Sequence, residues 1–124
     1  MIKVERIYDL EERTAVFAET VIVFVKKLMQ DAVNRRIIDQ LVGSSGSIGA
    51  NYCEASEAES KKDFIHKIMI CKKEAKETCH WLRLLAKVHS ERAEEIRKLW
   101  KEAHELVLIF SKSIQSARII PLKI

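Results

Sequence analysis

Gly43-Ser44-Ser45-Gly46-Ser47-Ile48-Gly49 holds every glycine in the chain, and its reading decides the fold. Taken locally, such a stretch spells a flexible linker or a turn. Yet Ile37, Leu41, Ser44, Ile48, Asn51, Ala55 and Ala58 recur at alternating gaps of four and three straight through it. A loop has no reason to keep helical phase. The stretch is therefore read as the middle of one helix, beginning between Asp31 and Asn34 and running to Glu57. Three interior glycines cost that helix roughly 3 kcal/mol in propensity. Tight packing must offset the cost, so a close helix contact is expected at Gly43, Gly46 and Ala50.

Outward from this helix the pattern repeats. Helix 3, over 61–88, has the cleanest seam: Phe64, Ile68, Cys71, Ala75, Thr78, Leu82 and Leu85 alternate gaps of four and three. Ser60 followed by Asp63 supplies a start resembling a capping box. Helix 1, over 10–29, carries two stripes, Phe17-Val21-Phe24-Leu28 and Ala18-Ile22-Val25-Met29, more than one core seam requires. Helix 4, over 91–118, follows Ser90 as N-cap, with Glu91, Glu94 and Glu95 in its first turn. Ile96, Leu99, Ala103, Leu106, Phe110 and Ala117 form its seam, widened by Trp100, Val107 and Ile114. Pro121 interrupts the apolar tail 119–124. One domain, residues 1–124, accommodates all four helices, and three Gly and one Pro are too few for a loop-rich or all-β chain.

Ser44 and Asn51 put polar side chains on the seam of helix 2. Such groups cost stability unless hydrogen-bonded, and they fix register and oligomer state. Thr78 is the candidate partner on helix 3. Gly43, Ser44, Gly46, Ser47, Ala50 and Asn51 together form a structural helix-packing motif.

Composition narrows the function classes. Cys53, Cys71 and Cys79 are odd in number and contain no CxxC pair, which points to reduced structural thiols in the cytoplasm. Met1 to Arg6 contain no signal-peptide core, and no apolar run reaches membrane-spanning length, so no membrane partner is expected. Glu77-Thr78-Cys79-His80 has Glu-x-x-His spacing, but a di-iron bundle needs a second copy that is missing, so neither metal nor cofactor is expected. The glycine stretch has neither GxGxxG order nor a GK[ST] ending. With no paired acids and no nucleophile–base arrangement, there are no catalytic candidates and an enzyme is not expected.

Charge is the most useful clue. The chain carries a formal +4, yet residues 61–88 hold eight Lys/Arg against three Asp/Glu, while residues 30–60 hold two against five. Lys62, Lys72, Lys73, Lys76, Arg83 and Lys87 concentrate the excess on helix 3. Lys62, Lys73, Lys76 and Lys87 are the candidate nucleic-acid-binding residues, aimed at phosphate. In the alternative, these cations pair with helix 2 carboxylates within or between subunits, or sit solvated. Trp81 and Trp100 are read as core or subunit contacts rather than stacking platforms.

Gln40-Leu41-Val42-Gly43-Ser44-Ser45-Gly46-Ser47-Ile48-Gly49-Ala50-Asn51-Tyr52-Cys53-Glu54-Ala55 resembles the central motif of the bacterial four-helix-bundle family of 23S ribosomal RNA intervening-sequence proteins. Ser60 to Phe64, Lys73 to Thr78 and Trp81-Leu82 resemble its helix 3. The resemblance implies an all-α, up-down-up-down antiparallel bundle assembling into a homopentameric ring, with no enzymatic activity. It further implies binding to RNA or DNA; one related branch is accessory to a reverse transcriptase in diversity-generating retroelements. The family often has Arg at the position of Gly43 and a basic residue at that of Cys53, so the helix 2 motif here lacks two cations. Two functions result: an oligomeric accessory protein that binds an RNA or DNA backbone or works beside a nucleic-acid-processing protein, or a structural, protein-binding module without nucleic acid.

Overall fold

The computed structural model describes residues 9–119, helices joined by turns and short irregular links with no strand among the described residues. Among the described residues there are four α-helices, α1 (Leu10–Val25), α2 (Ala32–Ser56), α3 (Lys61–Val88) and α4 (Ala93–Ile119), with a 3-10 turn at Ser90–Arg92 before α4. Consecutive helices pack on one another, and α1 returns to α4 to close a four-helix bundle. Arg13 meets Glu102 and Lys27 meets Glu95, so α1 and α4 run antiparallel.

Helix α2 is continuous through Gly43, Gly46 and Gly49, none of which has a positive φ. Its buried residues, Asn34, Leu41, Ser44, Ser45, Ile48 and Ala55, follow the seam. Asp31 caps it, its carboxylate accepting from the Asn34 N–H at 2.8 Å. On α3 the seam from Ile68 to Leu85 is buried throughout, with Ser60 accepting from the Asp63 N–H at 3.0 Å. The core joins Phe17, Val21, Leu41, Ile48, Ile68, Leu82, Leu106 and Phe110.

The expected close contact at Gly43, Gly46 and Ala50 is corrected. All three face outward, and a Cβ at Gly43 or Gly46 would meet nothing within 4 Å. The close approach lies at Gly49, where a Cβ would stand 3.1 Å from Thr14 Oγ1 on α1. The motif splits by face: Ser44 is buried, whereas Ser47 and Asn51 are half-buried. Asn51 Nδ2 donates to the Ser47 carbonyl of its own helix at 2.9 Å rather than across the bundle.

Two helix ends also differ from expectation. Helix α1 stops at Val25, not 29, because Lys27 and Leu28 donate back three residues, to Phe24 and Val25, and tighten the chain into a turn. Leu28 still reaches the core, but Met29 is 71% exposed. The second stripe of α1 is thus divided, with Val25 buried, Ala18 half-buried and Ile22 exposed like Met29. Ser90 is not an N-cap; it opens the 3-10 turn, whose Arg92 N–H bonds the His89 carbonyl at 2.9 Å. Residues 1–8 and 120–124, with Pro121 and most of the apolar tail, lie outside the described residues.

Candidate functional site

The outward ridge of α3 reads Lys62, His66, Met69, Lys73, Lys76, His80, Arg83 and Lys87, again at alternating gaps of four and three. Every one of these side chains is exposed, and none is a carboxylate. The four candidate residues fall on this ridge, with Lys62 and Lys87 about 37 Å apart along the axis. Beside the ridge, Lys72 is half-buried toward α4, and exposed Glu77 flanks the other side.

Toward α4 the cations gather in two grooves. One is lined by Met69, Lys72, Lys73 and Lys76 of α3 with Ile114 and Arg118 of α4, four cations around two apolar side chains. The other, about two turns along, is lined by Leu82, Arg83 and Ala86 of α3 and by Ala93, Ile96, Arg97, Trp100 and Lys101 of α4. Neither lining contains an acidic residue. Two acids of α4 turn elsewhere: Glu102 takes a two-point contact from Arg13 at 2.7 and 2.9 Å, and Glu95 meets Lys27 and Arg92.

Most ridge cations have no ion-pair partner among the described residues. Lys67 pairs with Glu54 of α2, as the alternative reading requires. Among the described residues Lys62, Lys72, Lys73, Lys76, Arg83 and Lys87 make no ion pair. Their charge is left available to a polyanion or to another subunit. Arg97 touches only Glu94, at 3.6 Å, on a solvated edge.

The contribution of α4 escapes a reading based on net charge, because that helix is nearly balanced overall. Its signal lies in position: Arg97, Trp100, His104 and Arg118 share one carboxylate-free stripe with Val107, Ser111 and Ile114. Trp100 is 38% exposed and stacks on His104 with centroids 4.9 Å apart and planes 11° apart, so of its two readings, core or subunit contact, the core one is corrected. Trp81 is half-buried beside His80, its Nε1 enclosed without a hydrogen-bond partner.

Glu77 and His80 both project outward from α3. No three His, Cys, Asp or Glu side chains converge among the described residues, and no described helix is long and apolar enough to cross a membrane. The cysteines are all free; Cys71 is buried, Cys79 half-buried and Cys53 exposed. Burial pushes the Cys71 thiol up to about 12 and the Cys79 thiol up to about 11, which suppresses the nucleophilic thiolate.

The family model of the 23S rRNA-intervening sequence protein matches residues 8–112. A solved structure from Bacteroides thetaiotaomicron, described as a protein with unknown function from the S23 ribosomal protein family, is similar in sequence and fold. It shares 31% identity over 85% of this chain and 97% of its own, with a TM-score of 0.74. No curated protein matches. The match spans the glycine-bearing helix, all of α3 and most of α4, and the chain belongs to the family of 23S rRNA-intervening sequence proteins.

Proposed function

We propose that this protein is a non-enzymatic accessory protein that binds the phosphate backbone of RNA or DNA along its α3 ridge. The carrying observation is the row of exposed cations, Lys62, Lys73, Lys76, Arg83 and Lys87, on a ridge without a carboxylate and with no ion pair among the described residues. Cations left free of acids attract oxyanions at long range and hold them by charge-assisted hydrogen bonds. A few phosphate contacts per chain give weak binding, and repetition around an oligomer multiplies it. The homopentameric ring implied by the family resemblance would supply that repetition, and a cytoplasmic setting suits the three free thiols.

Binding of labelled RNA and DNA across a salt series tests the reading. Affinity should fall linearly with the logarithm of salt concentration, as counterion release demands. Absence of binding at low salt, or a flat response, refutes it. Molar mass in solution tests the assembly separately, and a monomer at micromolar concentration would remove the multiplication.

One observation favours a second reading as a protein-binding module. Val16, Val23, Met29, Val33 and Leu108 are exposed, Val23 to 62%, and large exposed apolar side chains suit protein contacts where they form one patch. A stoichiometric protein partner recovered without nucleic acid would select this reading.

A further inference from the structure

We infer that the α3/α4 seam takes single-stranded rather than duplex nucleic acid, with one base laid against Trp100 and the adjoining phosphates on Arg83, Arg97 and Lys101. The inference rests on the polyanion reading above and adds to it the form of the ligand.

The second groove differs from the ridge in having a floor. Half-buried Ala86 and Ala93 form its accessible floor over the buried Leu82 and Ile96, while three cations stand around it. A surface that met only a duplex backbone would have no use for this floor, since duplex bases stay stacked inside the helix. An unpaired base has an apolar face needing cover and a phosphate one bond system away needing a cation, and the groove offers both.

Trp100 supplies the platform. His104 lies against the indole but stands outside the groove, whose α4 residues are Ala93, Ile96, Arg97, Trp100 and Lys101. The stacked imidazole holds the indole in one orientation, so little side-chain freedom remains to be lost when a base arrives. Base–aromatic stacking is tolerant of sequence, because every base presents a π-face. The strand would continue along the seam, because the first groove brings Lys72, Lys73, Lys76 and Arg118 about 10 Å further along α3. That order, one aromatic platform followed by a cationic track, is how single strands are held without sequence readout.

The test uses the full chain and four probes: oligo-uridine and oligo-thymidine 20-mers, a DNA duplex of equal length, and inorganic polyphosphate. Single strands should bind more tightly than the duplex. Trp100→Ala should weaken single-strand binding by roughly 5- to 150-fold and leave polyphosphate binding unchanged. Trp100→Phe should retain most of the affinity. In a Trp81→Phe background, the remaining indole should be quenched by single strands and not by polyphosphate. If Trp100→Ala fails to fold, Trp100→Leu, which keeps apolar bulk and loses the aromatic face, should show the same selective loss. Equal binding of all probes with no effect of Trp100 substitution overturns the inference while leaving phosphate binding intact. No binding of any probe at low salt overturns both. Tighter binding of one 20-mer than the other, with the Trp100 effect preserved, supports the inference and tells RNA from DNA.

Discussion

The hydroxyl oxygens of Thr78 on α3 and Ser44 on α2 lie 2.9 Å apart in the buried centre of the bundle. Thr78 Oγ1 is also 2.8 Å from the Glu74 carbonyl, and Ser44 Oγ is 3.3 Å from that of Leu41. Each hydroxyl owns one proton, so only one of the two donates across the interface while the other satisfies a carbonyl of its own helix. The pair binds α2 to α3 at a point where both side chains are small and the helices can lie close.

Thr78→Val keeps the shape and removes the cross-helix bond. It should lower stability by about 0.5–1.5 kcal/mol in urea unfolding. Because Ser44 then retains only its own helix, the Ser44→Ala effect should shrink in the Thr78→Val background. Full additivity of the two changes would show that the hydroxyls act independently.

Three glycines of one helix should respond to alanine in opposite ways. At Gly49 the new Cβ would stand 3.1 Å from Thr14 Oγ1. Thr14 is fully buried and its hydroxyl donates to the Leu10 carbonyl at 2.7 Å, so it has little room to yield. Gly49→Ala should therefore destabilise by about 1–3 kcal/mol. Gly43→Ala and Gly46→Ala meet open space and should each stabilise the chain by about 0.5–1 kcal/mol. Thermal melts of the three variants separate these outcomes. A loss at Gly43 or Gly46 would mean that a surface beyond the described residues fills that space.

That contrast marks how far the sequence could be read. Unbroken helical phase from Ile37 to Ala58 predicts α2 through its glycines, and the seam of α3 predicts which residues are buried. Phase alone says nothing of which glycine meets a neighbour, since that depends on how α1 lies across α2. The end of α1 was equally hidden: the apolar gaps of four and three carry on past Lys26 and Lys27 to Leu28 and Met29, and only the backward bonds of Lys27 and Leu28 reveal the turn. At the candidate site, the cations of α3 stand out in the residue count. Arg97, Trp100, Lys101 and Arg118 emerge only when antiparallel pairing brings α4 alongside.

A buried polar contact locks the opposite end of the bundle. His89 Nε2 lies 2.7 Å from Asn34 Oδ1, and Asn34 Nδ2 donates to Asp31 at 3.2 Å. The Asp31 contact orients the amide so that its oxygen faces the imidazole, making Nε2 the donor. Asn34→Ala would strand that donor and disturb the α2 start, costing about 1–3 kcal/mol. Asn34→Asp keeps an acceptor and should recover part of the loss. Equal destabilisation by both changes would argue that shape, not the hydrogen bond, matters here.

The three thiols should separate by reactivity. Burial raises Cys71 and Cys79 to about 12 and about 11, and the Cys71 thiol donates to the Ile48 carbonyl at 3.6 Å. At pH 8 a thiol with a pKa near 11 is only ~0.1% thiolate. A disulfide reagent should modify one cysteine per folded chain rapidly, at exposed Cys53, and the other two only on unfolding. Cys53→Ser should abolish the fast phase. Three equal rates would mean that α3 opens far more readily than its buried seam allows.

Charge removal on the ridge gives the sharpest prediction for function. Lys73 and Lys76 belong both to the exposed ridge and to the four-cation groove, whereas Lys98 lines a different groove beside Glu12 and Glu102. A cation that neutralises one phosphate contributes about one unit to the slope of log affinity against log salt. Lys73→Ala and Lys76→Ala should each reduce that slope by about 1 and weaken binding to every sequence alike. Lys98→Ala removes the same formal charge from the molecule and should leave the slope unchanged. If all three substitutions act equally, the protein attracts polyanions through its net charge alone, and the ridge holds no phosphate.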